Sequence, residues 1–285
     1  MTAIPALPRL AVPPWDDDTA TRQRDALRPY VPSVVTDWVQ ETPEATYRAV
    51  DGTLAMVDIS GFTKLTERLA RAGKVGAEEM SDLLSAVFTD LLTAAYDYGG
   101  RLLKWGGDAV LLLFEDDGHP ERACRGSYEM RRALRRFGEV RASAGVARLR
   151  LSIGLHTGTA TFFLVGTRHR ELVVTGPAAT TTVAIEAAAA AGEVALSPAT
   201  ASAVGPRVTG EAKGPALLLR AAPRVGMQPN RRPGPGPELD LASCLPVPIA
   251  AHLLRGTSEG EHRRIAVAFG SELMSMKVGV TGMAT

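Results

Sequence analysis

The sequence predicts an α+β fold in which a mainly antiparallel sheet carries helices on one face. Three observations predict it: a buried strand precedes helical spacing of apolar residues, two apolar runs then flank a Gly-Gly-Asp turn, and a second helix precedes more short strands. The order strand, helix, two paired strands, helix, strand is typical of a ferredoxin-like βαββαβ sheet.

The first half of this pattern runs from residue 52 to residue 137. GTLAMVDI (52–59) predicts a buried strand, and residues 61–72 a short helix. Apolar residues at helical spacing predict a long amphipathic helix over 76–98, ended by Gly99-Gly100. LLKWGGDAVLLLF (102–114) predicts the paired strands, and a second helix follows over 120–137.

The second half is predicted to contain short strands and one Ala-rich helix. Thr157-Gly158-Thr159 predicts the turn of a second hairpin, between strands 149–156 and 160–165. The remaining predictions are a strand over 171–175, a helix over 178–191, closing strands over 193–196, 207–210 and 216–220, and, after a Pro/Gly-rich stretch, a helical piece over 248–255.

Composition excludes several classes of partner. The chain has 285 residues, 45% hydrophobic, and a formal net charge of +1, which gives no electrostatic reason to bind nucleic acid or an anionic membrane. No apolar run approaches the ~18 residues of a membrane span, and the N-terminus lacks a secretory signal. Cys124 and Cys244 have no metal-ligand spacing, so we expect reduced thiols in a cytoplasmic protein.

Two carboxylates are predicted to meet at one edge of the sheet. Asp58 ends the first strand in MVDISGFT, and Asp108 lies in the hairpin turn of KWGGDAV. Adjacent acids repel each other unless a cation neutralises them, and Mg²⁺ prefers a few carboxylates together with water and phosphate oxygens. The backbone amides of the following helix N-terminus offer a seat for phosphates. Alternatively, each Asp only caps a helix or shapes a turn.

At these residues the sequence resembles the class III nucleotidyl cyclase catalytic domain. MVDISGFTKLTERL resembles its first metal motif, GGRLLKWGGDAVLLLF its second, and RLSIGLHTGTATFFLVG the hairpin that follows. The resemblance implies a cyclase domain that converts ATP to cyclic AMP and pyrophosphate, or GTP to cyclic GMP, with two Mg²⁺ or Mn²⁺ ions.

The resemblance also implies roles for particular residues. By position, Asp58 and Asp108 would bind the metal ions, with the backbone carbonyl of Ile59 as a further ligand. The substrate-binding positions would include Lys104, at the purine-reading position, and a set close to the two acids: Ser60, Gly61, Phe62, Thr63 and Gly107. If this is the first domain of a tandem pair, Lys104 is equally well interpreted as a surface lysine. His156 is interpreted as a packed histidine at a strand end.

Two family positions are missing. Complete members carry an Asn and, four residues later, an Arg that orient the ribose and stabilise the transition state. Here those positions fall on Thr180 and Ala184, and the base-reading position near Val173 is apolar. The resemblance therefore implies one half of a site, completed by a second cyclase domain in trans; a homodimer would build two metal sites that each lack the arginine.

The domain organisation follows from the same resemblance, which is greatest to tandem bacterial relatives of soluble adenylyl cyclase. We expect an N-terminal flank (1–50) made of a disordered lead (1–18) and a helical segment (25–40). It is followed by a cyclase homology domain (51–222), a Pro/Gly-rich linker with a short helix (223–262), and the truncated start of a second cyclase domain (263–285). RIAVAF (264–269) would be its first strand; alternatively, this segment is a short natural tail packed on the first domain.

Two other functions compete with the enzyme half. The chain is alternatively a catalytically inactive cyclase-fold module that binds nucleotide or regulates a partner. A diguanylate cyclase is a further alternative, because KWGGDAV resembles the turn of that family, although Ala109 and Val110 replace the acid and aromatic expected there.

Overall fold

The computed structural model describes residues 22, 25–71, 73–137, 139–143, 145–166, 169–228 and 240–255. Within them the strands are Tyr47–Ser60 (β1), Arg101–Gly106 (β2), Ala109–Phe114 (β3), Glu139–Ala142 (β4), Gly145–Arg148 (β5), Arg150–Val165 (β6), Glu171–Thr175 (β7), Val194–Leu196 (β8), Thr209–Lys213 (β9) and Ala216–Leu219 (β10). The α-helices are Ser33–Glu41 (α1), Phe62–Arg71 (α2), Gly73–Tyr96 (α3), His119–Phe137 (α4), Pro177–Ala188 (α5), Pro198–Val204 (α6) and Val247–Leu254 (α7). Short 3₁₀ turns span Arg28–Tyr30 and Leu241–Cys244.

The main sheet has the predicted core order. Its strands run β2-β3-β1-β6-β8-β10-β9, β7 pairs with β6, and the β6–β8 pair is parallel while the others are antiparallel. The four strands β2-β3-β1-β6 reproduce the ferredoxin-like arrangement, so the predicted α+β class is confirmed. β4 and β5 form a separate two-stranded ribbon that the sequence analysis did not predict, and α6 was also missed.

Helices cover both faces of the sheet, which differs from the expected single layer. Alternate residues of β1 belong to two separate cores: Ala55, Val57 and Ile59 pack in one and Leu54 in the other. The first core takes its helical residues from α2, α3, α4 and α6, and the second from α1, α5, α7 and the turn before α7. The second layer consists of α5 together with the N-terminal flank and residues 240–255, which also pack on the sheet.

The predicted hairpin around Gly158 is wrong. β6 runs without interruption from Arg150 to Val165 and pairs with β1 from Arg150 to Phe163, so that Gly158 lies opposite Gly52. A Cβ on Gly52 would lie 2.6 Å from the carbonyl oxygen of Phe114, so this glycine permits close packing within the sheet. Long-range pairing with β1 therefore overrides the local turn signal of Thr157-Gly158-Thr159.

Other predicted elements differ mainly at their ends. The helix expected over 76–98 begins earlier, at Gly73, and the helix expected over 178–191 ends at Ala188. No helix in the described part of the chain combines the length and apolar character needed to cross a bilayer. The expected disordered lead (1–18) and the strand expected over 264–269 lie outside the described residues.

Candidate active site

The two predicted acids lie at the same edge of the sheet. Near the end of β1, Asp58 is the Cα partner of Ala109 in β3 on one side and of Ser152 in β6 on the other. Asp108 directly precedes Ala109, in the turn between β2 and β3. The antiparallel register of β1 and β3 is therefore what brings together two carboxylates that are far apart in the chain.

The electrostatics of Asp58 favour a bound cation. Burial, the negative charge of Asp108 and then that of Glu186 raise the pKa of the Asp58 carboxyl to about 6, while a hydrogen bond from the Ile59 backbone lowers it. Every described side chain whose charge shifts the pKa of Asp58 is a carboxylate. A divalent ion would relieve both the burial and the repulsion, and hard oxygen donors are the ligands that Mg²⁺ and Mn²⁺ prefer.

The donor set suits an ion that keeps part of its water shell. The described residues contain no group of three or more His, Cys, Asp or Glu side chains arranged to hold a metal. Two carboxylates, supplemented by a backbone carbonyl, water and substrate phosphate, are the usual protein share of a magnesium site. The residues present therefore fit the ions that the family resemblance implies.

The hairpin turn fixes where Asp108 sits. Gly106 and Ala109 are paired, so Gly107 and Asp108 form a two-residue loop, and Gly107 has φ +74°. A positive φ at the first central residue is the pattern of a type II′ turn, where glycine is strongly preferred. Gly107, predicted as a substrate-binding residue, thus has a clear structural role in presenting Asp108.

The predicted phosphate seat lies directly after β1. Ser60 is the last residue of β1, Gly61 turns the chain with φ +91°, and the buried Phe62 begins α2, with Thr63 in its first turn. The first N–H groups of an α-helix have no partner within the helix, so this end is suited to binding anionic oxygens. Both predicted elements, metal acids and phosphate seat, therefore adjoin at the end of β1.

Lys104 is already engaged by an acid of its own chain. Its Nζ lies 2.6 Å from Oε1 of Glu171, the first residue of β7. A register shift in β2 between Leu102 and Lys104 makes Lys104 the partner of Leu111, whose side chain belongs to the second core. Sequence analysis did not predict the pair, because it depends on the β-bulge.

The two family positions missing from the sequence are exposed on α5. The Thr180 hydroxyl donates to the carbonyl oxygen of Gly176, 3.4 Å away, within its own helix. Ala184 is exposed one turn later and has no polar side-chain atom. Neither side chain can supply the positive charge that an arginine would bring to a phosphoryl transition state.

Two further residues complete the description of the site. Glu186, which sequence analysis missed, belongs to α5, and its charge acts on Asp58. His156 is half-buried, its Nδ1 lies 2.9 Å from the Ser197 Oγ, and burial lowers its pKa. These contacts agree with the expectation of a packed histidine, but His156 lies in the interior of β6 and not at a strand end.

The comparison with protein families identifies the chain. The model of the Adenylate and Guanylate cyclase catalytic domain matches residues 45–216, which is more than half of the sequence. The chain belongs to the class III adenylyl/guanylyl cyclase family. The diguanylate cyclase alternative is therefore not supported.

Relatives of this cyclase domain are mostly much longer proteins. "Adenylate cyclase type 10" of Rattus norvegicus is 36% identical over 81 residues, which is 28% of this chain and 5% of the rat protein. "Adenylate cyclase 1" of Rhizobium meliloti is 28% identical over 122 residues, covering 41% of this chain and 17% of that protein. This chain thus matches only a small part of each.

Solved structures share the fold of this cyclase domain. The adenylyl cyclase CyaB from P. aeruginosa superposes with a TM-score of 0.51 at 23% identity, covering 63% of this chain and 98% of that one. A bacterial light-regulated adenylyl cyclase gives a TM-score of 0.56 at 19% identity, covering 74% and 64%. At these identities the similarity establishes the fold only.

Proposed function

We propose that this domain supplies the metal-binding half of a nucleotidyl cyclase site that converts ATP to cyclic AMP and pyrophosphate. The observation that carries the proposal is the position of Asp58 and Asp108 at adjoining strand ends, where the charge of Asp108 raises the pKa of the Asp58 carboxyl. ATP rather than GTP follows from the adenylate cyclases among its relatives.

In this proposal the residues of the chain bind and orient the triphosphate. Asp58 and Asp108 hold two Mg²⁺ or Mn²⁺ ions, with the Ile59 carbonyl as a further ligand, and the amides of Gly61 to Thr63 bind the β- and γ-phosphates. Bound divalent ions supply charge stabilisation at the phosphates and activation of the attacking 3′-hydroxyl. Half-burial of Asp58 strengthens its interaction with a cation relative to water.

The remaining half of the site comes from a second cyclase domain in trans. Thr180 and Ala184 leave α5 without the family's Asn and Arg, and an arginine acting on phosphoryl charge is worth roughly 10³–10⁵ in rate. A homodimer would keep this deficit. We therefore expect the isolated chain to bind metal–ATP but to turn it over very slowly.

A cyclase assay with and without a partner domain tests the proposal. The purified chain is incubated with Mn²⁺ and ATP, alone and mixed with a second cyclase domain that carries the Asn and Arg. Substantial cyclic AMP only in the mixture supports the proposal; ordinary enzyme rates from the chain alone would contradict the half-site account.

Nucleotide binding tests the acids separately from turnover. Asp108→Ala is expected to lower metal-dependent ATP affinity at least ~10-fold, as loss of a metal-site group typically does. Asp90→Ala, which removes an exposed acid of α3, serves as the matched control and should leave affinity unchanged. Equal affinities for the two variants would mean that the acids are structural.

A specific observation also favours a second candidate, the inactive regulatory module. The exposed positions 180 and 184 lack catalytic groups, and Lys104 is held by Glu171 rather than left to read a base. This candidate predicts nucleotide binding with no gain of activity on mixing. The mixing experiment therefore separates the two functions.

A further inference from the structure

Helix α5 approaches β6 unusually closely at one point. A Cβ placed on Gly154 would lie 2.2 Å from the backbone nitrogen of Glu186 and 2.5 Å from its Cα. No other residue type fits there without moving the helix, because these are backbone contacts. Gly154 therefore sets the position of Glu186 over the sheet, on the face that β6 turns toward α5.

Ser152 connects this glutamate to the acid pair. It lies two residues before Gly154 and hence on the same face of β6, it is buried, and its hydroxyl acts on the Glu186 carboxyl by lowering its pKa, against the larger opposite effect of burial. Ser152 is also the Cα partner of Asp58 across the β1–β6 ladder. The Glu186 side chain therefore lies beside the strand position that Asp58 occupies.

Glu186 adds a third negative charge to the same edge. Its charge repels the Asp58 carboxylate, as that of Asp108 does. A helix residue placed this way destabilises the folded chain unless a cation is present, and burial adds to the cost. Repulsion between these acids makes the arrangement unfavourable as a purely structural feature. A neutral side chain at position 186 would be an adequate partner for Ser152 without adding a negative charge.

We infer that Glu186 is a positioning residue of the cation site, acting from outside the metal's own ligands. The inference rests on the proposed function, because it assumes that Asp58 and Asp108 bind divalent ions. The carboxylate, oriented by Ser152, accepts hydrogen bonds from water carried by the cation and adds to the negative potential that attracts it. Mg²⁺ and Mn²⁺ sites with two protein carboxylates keep several such waters, and groups that bind them tune metal affinity.

The test is Mn²⁺ affinity of the full chain without nucleotide, measured by electron paramagnetic resonance. Glu186→Gln keeps the size and hydrogen bonding of the side chain and removes its charge. We expect it to weaken Mn²⁺ binding by about 10-fold, the usual size of such an indirect effect, and Asp58→Asn to weaken it more. Glu78→Gln, which removes an exposed acid of α3, is the matched control and should have no effect.

Ionic strength separates an electrostatic role from a structural one. Added salt screens charge, so the ratio of Mn²⁺ dissociation constants between Glu186→Gln and the unaltered chain should shrink in high salt. Ser152→Ala keeps the charge but frees the carboxylate, and we expect a smaller loss of affinity. Thermal unfolding without metal should show Glu186→Gln folded and at least as stable as the unaltered chain.

Each outcome decides between the two proposals. Unchanged Mn²⁺ affinity in Glu186→Gln, with clear weakening in Asp58→Asn, overturns the role of Glu186 and leaves the proposed function intact. Unchanged affinity in both variants, or no Mn²⁺ binding by the unaltered chain, overturns the metal site itself. A loss in Glu186→Gln that does not respond to salt makes the residue merely structural and also overturns the inference.

Discussion

The two ends of β3 treat carboxylates in opposite ways. At its beginning, Asp108 lies beside Asp58, with Glu186 on the neighbouring helix, and these acids repel one another. At its end, Glu115 lies near another acid, Asp37 of α1, but there the guanidinium of Arg101 hydrogen bonds with both side chains.

The difference lies in the sign of the described charges that act on the acids at each end. Arg101 ties α1 and the end of β3 to β2, and nearby Arg122 donates hydrogen bonds to the backbone carbonyls of Glu115, Asp116 and Asp117. The chain thus supplies its own cations at this end. At the other end the described side chains that shift the pKa of Asp58 are acids, so a bound cation would reduce the repulsion there.

The largest expected effect comes from removing the cation at the structural end. Arg101→Ala leaves Asp37 and Glu115 close together without compensation and should lower the free energy of unfolding by about 2–3 kcal/mol near neutral pH. Urea denaturation near neutral pH measures the loss.

An exposed arginine provides the control for this prediction. Arg132 of α4 pairs with Glu129 at 3.5 Å while most of its side chain is in solvent, so Arg132→Ala should change the free energy of unfolding by less than ~0.5 kcal/mol. Similar losses for Arg101→Ala and Arg132→Ala would show that the carboxylates at this end of β3 do not need an internal cation.

A smaller effect of opposite sign is expected at the acid end. The folded pKa of Asp58 is about 6, above its ordinary value of 3.8, so between these values the folded chain binds more protons than the unfolded chain. Stability from this group therefore falls as pH rises through that window and stays low above it. Two pKa units correspond to at most ~3 kcal/mol, and partial solvent exposure reduces this to about 1–2 kcal/mol.

Asp58→Asn isolates this contribution. Measured by urea denaturation with a metal chelator present, the variant should gain stability relative to the unaltered chain as pH rises from about 4 to about 7. Added Mn²⁺ should stabilise the unaltered chain and not the variant, since only the former retains the ligand. A variant that is equally stable at every pH would mean that the acids at this end do not strain the apo fold.

Sequence predicted the acid end better than it predicted the surroundings. Asp58 and Asp108 stand out because each follows an apolar strand and carries a recognisable motif, and strand order then brings them together. Glu186 was missed because its proximity depends on how closely α5 packs, which the periodicity of apolar residues does not encode. The available signal was Gly154, an isolated glycine within a strand, which often marks a close approach of another backbone.

The errors of fold prediction have the same origin. Thr157-Gly158-Thr159 has the composition of a turn, but β1 is long enough to pair through it, so the ladder continues. The second helical layer was not expected because α1 and α7 belong to segments whose apolar residues had no visible partner in the sequence. Both are decided by contacts between distant parts of the chain, which local periodicity does not report.

The smallest expected effect concerns Lys104 and Glu171, a partly exposed ion pair between a base and an acid, like the contacts of Arg101. Its Nζ–Oε1 distance is 2.6 Å, yet half of the Glu171 side chain is exposed. Exposed ion pairs contribute little because water screens them and two long side chains lose freedom, so a double-mutant cycle with Lys104→Met and Glu171→Gln should give a coupling of about 0.5 kcal/mol. A coupling free energy as large as the loss of unfolding free energy in Arg101→Ala would show that a nearby cation stabilises the fold even when the ion pair is exposed. The distinction between the two ends of β3 would then no longer rest on the environment of each acid.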